Sequence, residues 1–233
     1  TILVTNTSGD SWNELVFRLY PNALGSEMIV SKTLVNDVEV TTDLDVENTV
    51  LRVPVLLEPD EQTVVTFAYT LTLSEESLGY GRLAKYEDVL SLSHAYPTLS
   101  VYQEGVWLED FPPELGDPLV AETSLFEVVI SAPKDWQVIT TGQTLGQTLT
   151  RNRQRLSIST GPVRDFYLAA TLEFNEVNKQ VGETTVRVFA PEKFSQVATS
   201  VLETTAKVLT LFSELYTPYP YKEFDIVAIP VEV

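Results

Sequence analysis

Few residues in this chain can do covalent or metal chemistry. Its 233 residues include one histidine, His94, and no cysteine. A zinc helix of the H-E-x-x-H kind needs two histidines one turn apart, so that both imidazoles reach the same ion. Composition therefore excludes that helix, and with it thiolate catalysis, disulfides and cysteine-ligated zinc. A Ser-His-Asp triad needs only one imidazole. No G-x-S-x-G elbow occurs, however, and His94 stands in Ser91-Leu92-Ser93-His94-Ala95-Tyr96-Pro97 with no carboxylate beside it. His94 reads as a locally hydrogen-bonded histidine. By their own residue types, these residues offer no catalytic constellation and no metal-ligand set.

Binding chemistry leaves more traces. The net charge is −18, from 33 acidic and 15 basic residues, and such a surface repels a phosphate backbone. Nucleic acid is excluded as a partner, and without long acidic runs the charge serves solubility. Aromatic residues gather in the loose stretch from Ser74 to Pro118, at Tyr80, Tyr96, Trp107 and Phe111. Beside carboxylates they suit a carbohydrate or peptide surface, or else they anchor loops. Arg151, Arg153 and Arg155 mark the tip of a hairpin.

The elements that position these groups are mostly strands. Thr63 to Leu73 alternates for eleven residues, with Val65, Phe67, Tyr69, Leu71 and Leu73 on one face, which rules out a helix. Shorter strands are expected at Glu14–Tyr20, Met28–Val35, Val38–Thr42 and Val50–Val55, the last stopped by Pro54 and the Glu58-Pro59-Asp60-Glu61 turn. Others follow at 125–131, 136–140, 144–150, 155–160, 165–173 and 184–189. Then the period changes. Phe194, Val197, Ala198, Val201, Leu202, Thr205, Leu209, Phe212, Leu215 and Tyr216 recur at three- and four-residue steps, the pattern of one helix of about six turns. Pro191 suits its first turn and Pro218 ends it. The apolar run from Phe224 to Pro230 reads as a strand buried on both faces. No run is long enough to cross a bilayer and no signal-peptide pattern opens the chain. Thr1–Thr5 already reads as the inside of a strand, so we expect a fragment whose natural N-terminus and any targeting signal are missing; the compartment stays open.

Several segments, in order, resemble the aminopeptidase N family of gluzincin zinc metallopeptidases. They are Pro133-Lys134-Asp135-Trp136 with Thr141-Gly142, Asp165-Phe166-Tyr167-Leu168-Ala169, Tyr219-Pro220-Tyr221, and Asp225-Ile226-Val227-Ala228-Ile229-Pro230. Asn6-Thr7-Ser8-Gly9-Asp10 and Arg18-Leu19-Tyr20-Pro21-Asn22 resemble the early strands of bacterial members. The resemblance implies a mainly β fold: a β-saddle or sandwich-like N-terminal domain at 1–190, then the first helix and strand of a thermolysin-like catalytic domain at 191–233. It further implies zinc in the parent enzyme and none in this piece, peptide as the parent's substrate, and the missing catalytic domain as the natural partner of these residues. The family's arginine-bearing element corresponds to His94-Ala95-Tyr96-Pro97 here, without the arginine. The weak substrate-binding candidates are accordingly Glu87, Asp88, His94 and Tyr96, either carboxylate being able to grip a protonated amine. Two other readings stand beside this one: a β-rich module that recognises peptide, glycan or protein without catalysis, and a family member that has lost its zinc site. If the helix opens a truncated domain, part of its apolar stripe should lack cover within these residues.

Overall fold

The computed structural model describes residues 1–45, 47–74, 82–86, 89–109 and 120–229. Strands dominate, as the alternation in the sequence requires, and one long helix stands near the end. The chain divides into two compact units, Thr1–Ala84 with His94–Glu122, and Lys85–Ser93 with Thr123–Val233.

In the first unit, one four-stranded sheet runs in the order Ile2–Thr5, Gln62–Thr72, Glu27–Val35, Val38–Glu39. A second runs Thr98–Leu99, Trp12–Arg18, Val50–Leu57, Asp43–Leu44. Alternation decides which face of each is apolar, and both contribute to one core: Val4, Met28 and Val65 from the first, Leu15, Phe17, Leu51 and Val53 from the second. Phe17 and Phe67 meet edge-on across it, with ring centroids 4.8 Å apart. The Glu27–Val35 strand turns back through Asn36 and Asp37, both with positive φ, the geometry of a tight two-residue hairpin. Of the two expected stops, Pro54 does not end its strand, and the Glu58-Pro59-Asp60-Glu61 turn does. The strand continues to Leu57, because Pro54 lies beyond the two-residue Asp43–Leu44 partner and beside a register shift at Trp12/Glu14, where a missing N–H costs no regular ladder bond.

The second unit holds three sheets of described strands: Glu127–Pro133 with Arg153–Ser159 and Gln143–Leu149; Gln137–Thr140 with Leu168–Thr171 and Val89–Leu92; and Phe174–Val181 with Thr184–Pro191 and Glu223–Val227. Ala190 and Pro191, which flank the expected domain boundary, both belong to the Thr184–Pro191 strand. A 3-10 turn at Glu192–Phe194 leads into the helix Ser195–Leu215, whose backbone ends with the Tyr216 N–H donating to Phe212 O. The helix is rich in β-branched residues, and Thr199, Ser200 and Thr210 spend their hydroxyls on carbonyls four residues back. Such a sequence has modest helix propensity, so tertiary packing carries it. Ala198, Leu202 and Leu209 pack on Val186, Val188 and Ala190 of the strand below.

The single stripe expected on this helix resolves into two. At 100° per residue, Ala198, Leu202, Ala206 and Leu209 fall on the buried face. Val197, Val208, Leu211, Phe212 and Leu215 fall to one side of it and are exposed.

Candidate functional site

The described residues place a cleft in the second unit, and Thr141, Gly142, Tyr167, Tyr219-Pro220-Tyr221 and Asp225 of its lining come from the segments that carry the family resemblance. One wall is the end of the Gln137–Thr140 strand with Thr141, Gly142 and Gln143; the other is Tyr219-Pro220-Tyr221 and the Glu223–Val227 strand. A main cavity of about 590 Å³ lies between them. An adjoining one of about 440 Å³ shares Thr140, Gly142, Gln143 and Glu223 with it and extends over Gln137, Glu176, Arg187 and Phe189.

Local geometry explains the residue types. Gly142 turns the chain at φ +90°, and a Cβ there would meet Ser159 O at 2.6 Å and Thr160 Cγ2 at 2.7 Å. No larger residue fits that corner. Tyr221 lies against Gly161, donates its hydroxyl to Pro162 O at 2.5 Å, and has its own carbonyl held by Thr184 Oγ1 at 2.8 Å. Tyr219 packs on Tyr221 and Phe224, with centroids at 5.4 and 5.5 Å. Burial pushes the Tyr219 hydroxyl above the usual phenol range. Burial does the same at Tyr167, where the Ser91 hydroxyl at 3.0 Å pulls the other way.

Charge in the cleft centres on Arg187. Its Nε donates to Asp225 Oδ1 at 2.7 Å, and its Nη2 donates to Asp225 Oδ2 at 2.6 Å and Glu223 Oε2 at 2.8 Å. The fork on Asp225 is bidentate, which fixes the guanidinium plane, and the group also lies over the Phe189 ring at 5.5 Å. The Asp225 hydrogen bond raises the Arg187 pKa, against the effect of burial. For Glu223, burial raises the carboxyl and outweighs the attraction of Arg187. Asp225 is the principal partner of Arg187, while Glu223 is held by one bond. Arg187→Leu should therefore cost about 1–2 kcal/mol at neutral pH, a buried-pair penalty reduced by partial exposure. Part of the penalty falls on Glu223, whose carboxyl burial raises and which loses the cation that opposes the rise. That part is full at neutral pH and shrinks as pH falls through the raised folded value. Urea midpoints for both proteins at neutral pH and near pH 4, about the ordinary carboxylate range, check this.

The candidates named from the sequence lie elsewhere. His94 is 5% exposed, has φ +49°, and sits edge-on to Tyr20 at 5.4 Å and stacked on Tyr96 at 6.3 Å. His94 and Tyr96 are thus brought together in the first unit. Glu87 and Asp88 lie outside the described residues. The aromatic loop residues Trp107 and Tyr102 pack on Trp12, with centroids at 4.8 and 5.2 Å, as anchors of the first unit's core. Asn6 is fully buried, its Nδ2 donating to Asp10 O and Leu57 O, so the Asn6-Thr7-Ser8 triplet serves a turn. Among the described residues no group of three His, Cys, Asp or Glu side chains could hold a metal, and no helix is long and apolar enough to cross a membrane. The donors among the described residues do not fit a zinc ion. Among the described residues, the cleft is lined by carboxylates, hydroxyls, amides and aromatic rings, and by no imidazole or thiol.

No family model matches the sequence, and no curated protein matches it. Solved structures do. The fold is similar to that of an M1 zinc metallopeptidase from Deinococcus radiodurans, with a TM-score of 0.64 at 17% identity over 99% of this chain and 52% of that one. A mutant of that enzyme bound to a Tyr-Ser-Ala substrate matches with a TM-score of 0.60 at 16% identity, over 99% of this chain and 52% of that one. A mutant of a two-domain M1 zinc metallopeptidase bound to L-arginine gives 0.62 at 16%, with the same coverage. This chain spans about half the length of the solved chains it matches.

Proposed function

We propose that this chain is the non-catalytic N-terminal portion of a zinc-dependent aminopeptidase, and that it helps to wall the cleft in which a peptide is bound. The observation that carries the reading is the fold likeness over 99% of the chain to zinc metallopeptidase structures about twice as long. The sequence order of the resembling motifs supports it, as does the exposed stripe Val197, Val208, Leu211, Phe212 and Leu215, an apolar surface of the kind that another domain covers. In this reading residues 1–190 form the β domain and 191–233 open the catalytic domain. Zinc, its ligands and the general base then belong to residues beyond these 233, where the metal would polarise the scissile carbonyl and activate water. Glu87 or Asp88 would supply the carboxylate that accepts the substrate's amine, with His94 and Tyr96 as the other substrate-binding candidates.

The test has two arms. The purified 233-residue chain should contain no stoichiometric zinc by metal analysis and should release no chromophore from aminoacyl nitroanilides. Extended through a downstream H-E-x-x-H helix, the same polypeptide should gain both. Stoichiometric zinc in the short chain, or a parent gene without the zinc motif, overturns the proposal.

A further inference from the structure

We infer that the solvent face of the Arg153–Ser159 strand, at its arginine-bearing end, is a docking site for an acidic polypeptide segment with carboxylates at alternate positions. This strand is the middle one of its sheet, paired on both sides with described strands. Gln154, Leu156 and Ile158 turn to the buried face. Arg153, Arg155 and Ser157 turn to the other, which is exposed. Ser131 and Thr148 stand directly across from Arg155 on the two neighbouring strands, and both are exposed as well. Their short side chains keep the face flat enough for an extended backbone to lie on it.

Charge at this corner runs against that of the whole chain. The net charge is −18, yet Lys134, Arg151, Arg153 and Arg155 meet where the Lys134 N–H donates to Asn152 O and joins two turns. Asp135 is the carboxylate of those turns, and among the described residues none of these five makes an ion pair. Arg52 and Arg187, by contrast, each hold two carboxylates. Glu127 shares the face but stands four residues along its strand from Ser131, about 13 Å away.

The donors are fixed in advance. Arg153 Nε donates to Ser131 Oγ at 2.9 Å and its Nη2 to Ser131 O at 2.6 Å. Ser131 is the cross-strand neighbour of Arg155, so the fixed guanidinium lies beside a second one with no carboxylate to separate them. That arrangement is a cost which a bound carboxylate removes, and Arg153 keeps three N–H groups for it. On the buried face Gln154 ties the same corner, its Nε2 donating to Pro133 O at 3.0 Å and its Oε1 accepting from Gln147 at 3.1 Å. A corner ordered before binding loses little entropy on binding.

Spacing selects the occupant. Arg153 and Arg155 are two residues apart on an extended strand, about 6.8 Å, which is the repeat of alternate carboxylates on an extended partner. Guanidinium forks match carboxylates two bonds at a time. The chain's overall charge repels a nucleic acid, an anionic bilayer or a second copy of itself. A short segment confined to the corner feels mainly the charges within about 8 Å at physiological salt, and those are cationic.

The inference does not rest on the aminopeptidase reading, since the corner lies at the far end of the hairpin from Gln143 and Ser159, which line the cleft. The probe is a fluorescent Glu-Thr-Glu-Thr-Glu-Thr peptide titrated into the 233-residue protein at low and at physiological ionic strength. Its comparators are a Lys-Thr counterpart and a Glu-Glu-Glu-Thr-Thr-Thr isomer of equal charge. Expected are saturable anisotropy with the alternating peptide, at least fivefold weaker binding of the isomer, and no binding of the Lys-Thr form. Arg155→Ala and Arg151→Ala, both at exposed positions, should each weaken binding several-fold, while Lys207→Ala on the helix leaves it unchanged. Ser131→Ala releases the Arg153 guanidinium and should also weaken binding several-fold, with the total charge intact. Equal binding of the two Glu peptides, or unchanged binding by Arg155→Ala, would mean diffuse attraction and overturns the inference. So does the absence of binding, displacement of the peptide by equimolar inorganic phosphate, or tighter binding to phosphatidylserine vesicles than to the peptide.

Discussion

Phe17→Ala is expected to lower stability by about 3–5 kcal/mol, the largest loss from any single truncation in the first unit. Phe17 is fully buried on the Trp12–Arg18 strand, packed with Leu15, Val53 and Val65 and edge-on to Phe67. Truncation removes the transfer energy of the ring and leaves a hole that two hydrogen-bonded sheets cannot close without breaking register. A urea transition that moves far to lower denaturant with an unchanged slope is the expected result. Phe17→Leu should keep most of the lost stability, because a branched aliphatic refills much of the volume. A midpoint shift of less than about 1 kcal/mol for the alanine variant would mean that the two sheets do not share this core.

How much of this is legible in the sequence depends on length and on exposure. Gln62–Thr72 is readable because eleven residues of alternation leave no other period. Ser195–Leu215 is readable for the same reason at helical spacing, although the sequence does not separate the covered stripe from the open one. Phe174–Val181 escapes because it is largely solvent-facing, and Phe-Asn-Glu-Val-Asn-Lys-Gln-Val shows no buried alternation. Its turn signal is there, in Gly182 with φ +58°. The Tyr102–Gln103 and Val106–Trp107 pair escapes because two residues cannot display a period, although Glu104-Gly105, both at positive φ, marks the turn. The cleft is not legible as a site. Its two walls are far apart in sequence, and no local pattern records their approach. The resemblance comes nearer: Thr141-Gly142, Tyr219-Pro220-Tyr221 and Asp225 carry it by their order and prove to be neighbours around one cavity.

Leu202→Asp is the sharper test of how the helix is held, because it changes charge where the covered stripe meets the sheet. Leu202 is 5% exposed and packs with Val186, Val188 and Ala190. The substitution forfeits about 2–3 kcal/mol of apolar burial and adds the cost of a carboxylate in an apolar site, so about 4 kcal/mol or more is expected at neutral pH. The helix has little intrinsic propensity to fall back on, and far-UV helicity should drop with it. Burial holds the new carboxyl's folded pKa above its unfolded value, so the deficit shrinks as pH falls toward the unfolded carboxylate range and grows as pH rises through the folded one. Phe212→Asp is the control. Phe212 is 53% exposed on the neighbouring stripe, and a charge there should shift stability by no more than about 0.5 kcal/mol. Equal losses at the two positions would show that both stripes are covered in solution and that the exposed one has found a partner, which sedimentation velocity would report as self-association of the unmodified protein. Unequal losses in the expected order leave the Leu211–Leu215 side of the helix open for the domain proposed to cover it.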